Sequence, residues 1–297
     1  MQPTRSEMAF CADYAPGPAG HDAGAIPRFL PFMRGKCLVH GAAPASLAWR
    51  KPADFPANFD LAAAAVRLRP AANVFAVDLT DASGLGLGLC EEGDRYVDML
   101  TAAFVLPPPI SATAGRAASL LHSRRRQAYC GVCGNLNGRL EGTRCSNRNC
   151  GEEWYPQVNP VVMMLPVSGD SCLLARQPGF PQGYLAPLAG FIEPGETIEH
   201  AARREVMEEV GLIADWVTYV LSQPWPFPSS LMIACLVDVG HGEPDLGSGE
   251  LESARWMSNG EIGQLLAGSL IDGVRIPPKP IIGHHLIAHW FSTINGD

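Results

Sequence analysis

No stretch of the chain approaches the roughly 20 consecutive apolar residues needed to cross a bilayer as a helix, and no basic segment followed by a signal-length apolar run opens it. The expected location is therefore the cytosol, with no membrane partner. Positive charge is also scarce. Lys and Arg number 22 against 30 Asp and Glu, a net charge of −8, which argues against an electrostatic binder of bulk nucleic acid, because such proteins carry a basic domain or stripe. Charged residues make up 18% and aromatics 8%. Hydrophobic residues reach 47%, so 297 residues can build the cores of two domains with room for a small third module. An even cysteine count is missing too. Nine cysteines in a chain this long do not read as the disulfide framework of a small secreted domain.

Residues 1–25, with "APGPAGHDAGAIP", are rich in Ala, Gly and Pro and read as a loose arm. From 26 to 127, short apolar runs such as "KCLVHG" and "NVFAVDL" alternate with Pro/Gly turns, which predicts a mixed N-terminal domain with several strands. The segment "DLAAAAVRLR" fits a helix by its alanines and a strand by the alternation of "VRLR". Helical spacing over 112–127 predicts a connecting helix ending in Arg124, Arg125 and Arg126. Such a cluster is more often a solvated helix end than a phosphate site, and it suits the helix dipole. Beyond residue 158, "VVMMLPV", "SCLLARQ", "LIADWVTYV" and "SLMIACLVDV" read as strands, with helices over 198–210, 260–267 and 281–292. Mixed elements over this length predict an α+β or α-β-α sandwich. His284, His285 and His289 fit a solvated or substrate-side helix face better than a metal site.

Residues 190–211 read GFIEPGETIEHAARREVMEEVG. Thr197 after Pro194-Gly195 is an N-cap signal and Gly211 a C-terminal stop, which together bound the 198–210 helix. Spacings of three and four put Glu205, Glu208 and Glu209 on one face, where like charges repel. They also fall in the last turns, at the negative end of the helix dipole. A helix meant only for solvent gains more from the reverse order. Three such carboxylates suit a hard divalent cation such as Mg²⁺, which shares its shell with water and substrate phosphates.

Four of the cysteines form a second pattern, over 128–157. Cys130 and Cys133, then Cys145 and Cys150, give two short-spaced thiol pairs among Gly and Asn residues, which reads as a Cys₄ zinc ribbon. Gly131, Gly134 and Gly138 let the backbone turn tightly around the thiols. Cys11, Cys37, Cys90, Cys172 and Cys235 have no partners at metal spacing and read as core or incidental thiols. A third pattern is "SQPWPFPSSLM" over 222–232, where three prolines stiffen a loop presenting Trp225 and Phe227, a fit for stacking on a planar base.

The stretch from Gly190 to Leu212 resembles the Nudix box. Gly190, Glu196, Arg204, Glu205, Val206, Glu208, Glu209, Gly211 and Leu212 fill its defined positions. "SQPWPFPSS", following the box and preceded by a zinc ribbon and "WYPQVNP" at 154–160, resembles the NADH pyrophosphatases of the NudC type. The likeness covers about 129–290. It implies a C-terminal Nudix α-β-α sandwich over 158–297 that uses Mg²⁺ or Mn²⁺ to hydrolyse the diphosphate of NADH or NAD⁺, giving AMP and nicotinamide mononucleotide. It also implies removal of NAD caps from RNA by the same scission, and a homodimer in which Trp225 or a neighbour reaches the partner's pocket.

By the same resemblance Glu205, Glu208 and Glu209 hold the metal, and Glu209 is the candidate base. Arg204 orients them by ion pairing. Glu250 is a further ligand when the chain is aligned on Trp256, with Glu252 its rival. Phe191, Tyr155, Gln223, Trp225, Ser230 and Met232 form the substrate pocket. ADP-ribose or dinucleoside polyphosphates are alternative substrates. A zinc-ribbon RNA-binding or regulatory protein without catalysis is the alternative of another class.

Overall fold

The computed structural model describes residues 7–11, 26–68, 73–137, 144–240, 242–247 and 249–296. The chain divides into two compact units. One takes residues 9–158 together with 224–229; the other takes 159–223 and 230–297 with the residues up to Met8. Most of the expected arm, and Gly138, lie outside the described residues. The part of the arm that is described is not loose: Met8, Ala9 and Phe10 are buried.

The N-terminal unit is built from β1 (Arg28–Met33), β2 (Lys36–His40), β3 (Ser46–Leu47), α1 (Leu61–Ala64), β4 (Ala65–Arg67), β5 (Val74–Asp78), α2 (Ser83–Gly88), β6 (Asp94–Val97), α3 (Met99–Val105) and α4 (Pro108–Arg126). Its sheet runs β3-β2-β1-β5-β4, with β6 also paired to β2. Strands β1 and β2 turn through Arg34 and Gly35, both at positive φ, the conformation a two-residue hairpin of this twist requires. The ambiguous "DLAAAAVRLR" segment is both things in turn. Asp60 caps α1 by accepting from the Ala63 N–H, and from Ala65 the chain is extended on β5. Helix α4 starts four residues before the expected 112, because Pro108 and Pro109 sit in its first turn, where a missing N–H costs nothing. Arg124 donates to the Ala65 and Ala63 carbonyls and Arg125 to Asp78, so two of the three arginines tie α4 to its own unit.

The proline-rich segment is also less of a loop than the sequence suggests. Ser222–Trp225 continue a strand, and only 226–229 turn. Residues 224–229 belong to the N-terminal unit, where Phe227 packs on the main core and meets Phe10 edge-on at 6.3 Å. Gly115 on α4 makes room for this: a Cβ there would come within 2.8 Å of the Phe10 ring and 3.4 Å of Pro226.

The C-terminal unit contains β7 (Asn159–Ser168), β8 (Ser171–Arg176), β9 (Leu188–Phe191), α5 (Ile198–Val210), β10 (Ala214–Trp225), β11 (Ser230–Val239), β12 (Ser253–Ser258), α6 (Asn259–Leu266) and α7 (Ile282–Asn295). The sheet order is β10-β11-β7-β8-β12, with β9 on β7. The central pair, β7 and β11, is parallel. Residues 161–166 of β7 are buried without alternation, as expected of a strand covered on both faces. Val162 and Met164 join Ala201, Ala202, Val206 and Val210 of α5 in one cluster. Helix α7 packs on β11 and β7 as well. His284 and His285 bond the Pro277 and Lys279 carbonyls just ahead of α7, so neither ring is offered to solvent as a site. Among the described residues no helix is long and apolar enough to cross a membrane.

Candidate active site

Helix α5 has the bounds its cap signals give. The Thr197 hydroxyl accepts from the His200 N–H at 3.2 Å, and Gly211 closes the helix at φ 66°. Its buried residues fall on two adjacent stripes, Ala202-Val206-Val210 and Ala201-Glu205-Glu209. The second stripe puts two carboxylates where apolar side chains belong. Glu209 is only 2% exposed, and its Oε2 is buried with no hydrogen-bond partner among the described residues. Burial, then the charges of Glu205, Glu250 and Glu208, push its pKa up to about 8. Burial also raises Glu205, against the pull of Arg204. A buried, unpaired carboxylate of this kind is costly unless a proton or a cation meets it.

Arg204 organises the rest. Nε and Nη2 donate to the two Glu196 oxygens at 2.7 and 2.9 Å, Nη1 to Glu205 at 2.8 Å and Glu208 at 2.9 Å, and Nη2 also to the Phe191 carbonyl at 3.0 Å. One planar guanidinium thereby joins the loop before α5, two helix carboxylates and the end of β9. The Glu196 carboxyl is held down at about 2, chiefly by this guanidinium. Gly190 on β9 lies against Glu205 so closely that a Cβ would sit 1.9 Å from its Cδ. Any larger residue there must push the Glu205 carboxylate aside.

These groups fit a hard divalent cation by chemistry: all are carboxylate oxygens, and one is buried without a partner. Their oxygens are not drawn into a compact cage. Among the described residues only the four cysteines bring three or more candidate ligand atoms within 4.8 Å of one another. Arg204 holds Glu205 and Glu208 to itself, and like charges spread. Of the two rivals in the 249–252 loop, Glu250 acts electrostatically on both Glu205 and Glu209, whereas Glu252 is ion-paired with Arg176.

The expected pocket residues separate. Phe191 pairs with Val161, and Val161 with Met232, so Phe191 and Met232 share one row across β9, β7 and β11, with Ser230 two residues along opposite Asn159. Phe191 is exposed and Met232 buried. Gln223 does not face solvent: it is fully buried, donating to the Pro280 carbonyl at 2.9 Å and accepting from the Ile282 N–H at 2.8 Å. Its amide thus caps α7, whose own N-cap, Ile281, has no side-chain acceptor. Trp225 is half-buried beside Phe227 at 4.8 Å, and Tyr155 is exposed; both lie in the N-terminal unit. Motif spacing did not reveal the positions of Gly190 and Gln223, because burial is set by distant strands.

In the N-terminal unit the four thiols converge. Cys130 and Cys150 sulfurs lie 3.9 Å apart, and those of Cys133 and Cys145 3.6 Å. A zinc with four sulfurs at about 2.3 Å implies edges of about 3.8 Å, while a disulfide needs about 2.05 Å. The second cysteine of each pair is followed by a glycine at positive φ, Gly134 and Gly151, which folds each knuckle back. Backbone hydrogen bonding from Asn135 lowers the Cys133 thiol to about 7.

Comparison with known proteins gives the family. The NUDIX domain model matches residues 157–275. The chain is 32% identical over 262 residues to NAD-capped RNA hydrolase NudC of Chromobacterium violaceum, covering 85% of this chain and 90% of that protein. It is 42% identical over 186 residues to the human NAD-capped RNA hydrolase NUDT12, covering 59% of this chain. The mouse mitochondrial NAD(P)H pyrophosphatase NUDT13 is 39% identical over 217 residues, 68% of this chain and 61% of that protein. The chain spans 40% of the length of the human relative.

The contact between Gly190 and Glu205 generates a test. Gly190→Ala should displace the Glu205 carboxylate by about 1 Å or more and lower turnover about 100-fold, as misplaced reacting groups do. Unaltered steady-state kinetics in a folded variant would show that the close approach has no catalytic meaning.

Proposed function

The chain belongs to the Nudix hydrolase family, and on that premise we propose that it hydrolyses the diphosphate of NADH or NAD⁺ to AMP and nicotinamide mononucleotide, in reduced form from NADH. Removal of an NAD cap from an RNA 5′ end is the same scission on a longer substrate. The observation that carries this reading is the Glu209 carboxylate, buried, unpartnered at Oε2 and flanked by Glu205 under the Arg204 guanidinium. Names of the relatives, which are NAD-capped RNA hydrolases and an NAD(P)H pyrophosphatase, support the substrate class.

Glu205, Glu208, Glu209 and Glu250 would hold Mg²⁺ or Mn²⁺, which supplies charge neutralisation at the phosphate oxygens and a more acidic water. Arg204 keeps Glu205 and Glu208 aimed and ties them to Phe191, whose exposed ring offers a stacking face beside the phosphate site. Glu209 accepts the proton of the attacking water. Cys130, Cys133, Cys145 and Cys150 would hold zinc, which would keep the ribbon folded, a structural role for a closed tetrahedral site.

The reading of a homodimer is supported by a different surface than the sequence suggests. Trp225 is half-buried, but β10 is an edge strand, and beside and along it Ile213, Trp216 and Tyr219 are exposed, Trp216 at 76%. An open edge carrying aromatics invites a second strand, and a second copy of β10 is our proposed occupant.

Glu209→Gln should leave the fold intact and lower AMP release from NADH by about 100-fold or more, the usual size of a general-base contribution. Mass spectrometry of products decides the substrate: release of AMP from ADP-ribose but not from NADH would overturn the reading. About one zinc per chain is expected, lost when Cys130 and Cys133 become Ser; zinc-free protein in elemental analysis would refute the ribbon's metal. Trp216→Asp should shift the light-scattering mass toward the 31.8 kDa of one chain, and wild-type protein already at that mass would remove the dimer.

A further inference from the structure

The loop that carries Glu250 is pinned on either side of it. Gly249, at φ 73°, turns the chain into position, and Leu251 is buried in the core beneath α5. Glu252 donates its backbone N–H to the Arg176 carbonyl at 2.9 Å, next to the Ser253–Arg176 pairing that begins β12. The Glu252 carboxylate is ion-paired with the Arg176 guanidinium. That guanidinium has a second task. Its Nη2 donates to the Phe180 carbonyl at 2.5 Å, and its Nε reaches the Pro181 carbonyl at 3.4 Å.

The 177–183 loop gripped in this way is itself anchored. Gly183, at φ 74°, lies so near Gly273 that a Cβ would sit 2.2 Å from its carbonyl oxygen, and the Gly183 carbonyl accepts from the Arg275 N–H at 2.8 Å. Arg176 therefore joins two loops through a single side chain, one fixed by close backbone packing and the other carrying the exposed Glu250. Without such a tie the loop has a reason to leave: the Glu250 charge acts on the carboxylates of Glu205 and Glu209, and like charges separate when the connecting chain allows it. A partly exposed ion pair adds little to global stability.

We propose that Arg176 is a positioning residue for the divalent-cation site, which by holding Glu252 against the Phe180 and Pro181 carbonyls fixes the neighbouring Glu250 on the loop that Leu251 seats in the core of α5. This rests on the reading that Glu250 is a ligand of that cation. Groups that orient metal ligands commonly contribute about 10–100-fold in metal affinity.

The test is Mn²⁺ binding to the full-length protein without substrate, read by paramagnetic resonance of the free ion, for wild type, Arg176→Ala, Arg176→Lys, Glu252→Gln, Glu250→Gln and the Arg176→Ala/Glu250→Gln double variant. Arg176→Ala and Glu252→Gln should each weaken binding about tenfold with an unfolding midpoint close to wild type. Arg176→Lys, which keeps the charge but loses the fork, should recover part of the loss. The double variant should bind no more weakly than Glu250→Gln alone. Wild-type affinity in Arg176→Ala, or a double variant whose losses multiply, would overturn the positioning role. Wild-type affinity in Glu250→Gln would instead remove Glu250 from the ligand set, and the proposal with it.

Discussion

Two carboxylates occupy the buried stripe of α5, and much of the C-terminal unit is arranged around that constraint. Glu205 and Glu209 lie one turn apart, below Ala201, on a helix that packs against β9 and β7. Burial of this sort is destabilising unless charge is met by charge. Arg204 answers for Glu205, and nothing among the described residues answers for Glu209 Oε2. The close approach of Gly190 follows from the same constraint, since a carboxylate pressed into the sheet needs a neighbour without a side chain. So does the position of Phe191, whose carbonyl is the remaining acceptor on the Arg204 guanidinium.

What the sequence made legible was local. The 198–210 helix has its expected bounds because both its cap residues act within four residues of themselves. The thiol convergence was also legible, since two short-spaced pairs on glycine turns have few other ways to fold. What it did not make legible depends on partners far along the chain. Gln223 sits in a motif that suggests ligand contact, yet its amide is consumed by Pro280 and Ile282, more than 50 residues away. Phe10 falls in a segment whose composition suggests a loose arm, yet Ser111 accepts its N–H and Phe227 packs against its ring. Composition reports average propensity, and one aromatic with a core to enter outweighs several glycines.

The aromatic signature illustrates how rigidity can be supplied. Three prolines stiffen residues 224–228, but the turn is only four residues long and is seated by Phe227 on the N-terminal core, with Gly115 clearing the space. The stiffness is thus tertiary as well as local. Folding of the N-terminal unit and shape of this turn are coupled, which gives that unit a part in placing Trp225.

Glu196 and Glu209 show how one site can hold opposite pH dependences. The Glu196 carboxyl is held at about 2, below its ordinary 4.5, so its pairing with Arg204 stabilises the fold above about pH 4.5 and is lost as pH falls toward 2. Glu209 is displaced the other way, to about 8 from 4.5. Its protonated form is the one the fold favours, so its contribution is fully present below about pH 4.5 and is lost as pH rises toward 8. Near neutrality the first carboxylate is already satisfied and the second is not. Arg204 cannot serve both, because its donors are committed to Glu196, Glu205, Glu208 and the Phe191 carbonyl. Among the described residues Glu209 Oε2 is therefore left without a partner on the buried stripe of α5, where near neutrality it keeps a proton unless a cation takes the proton's place.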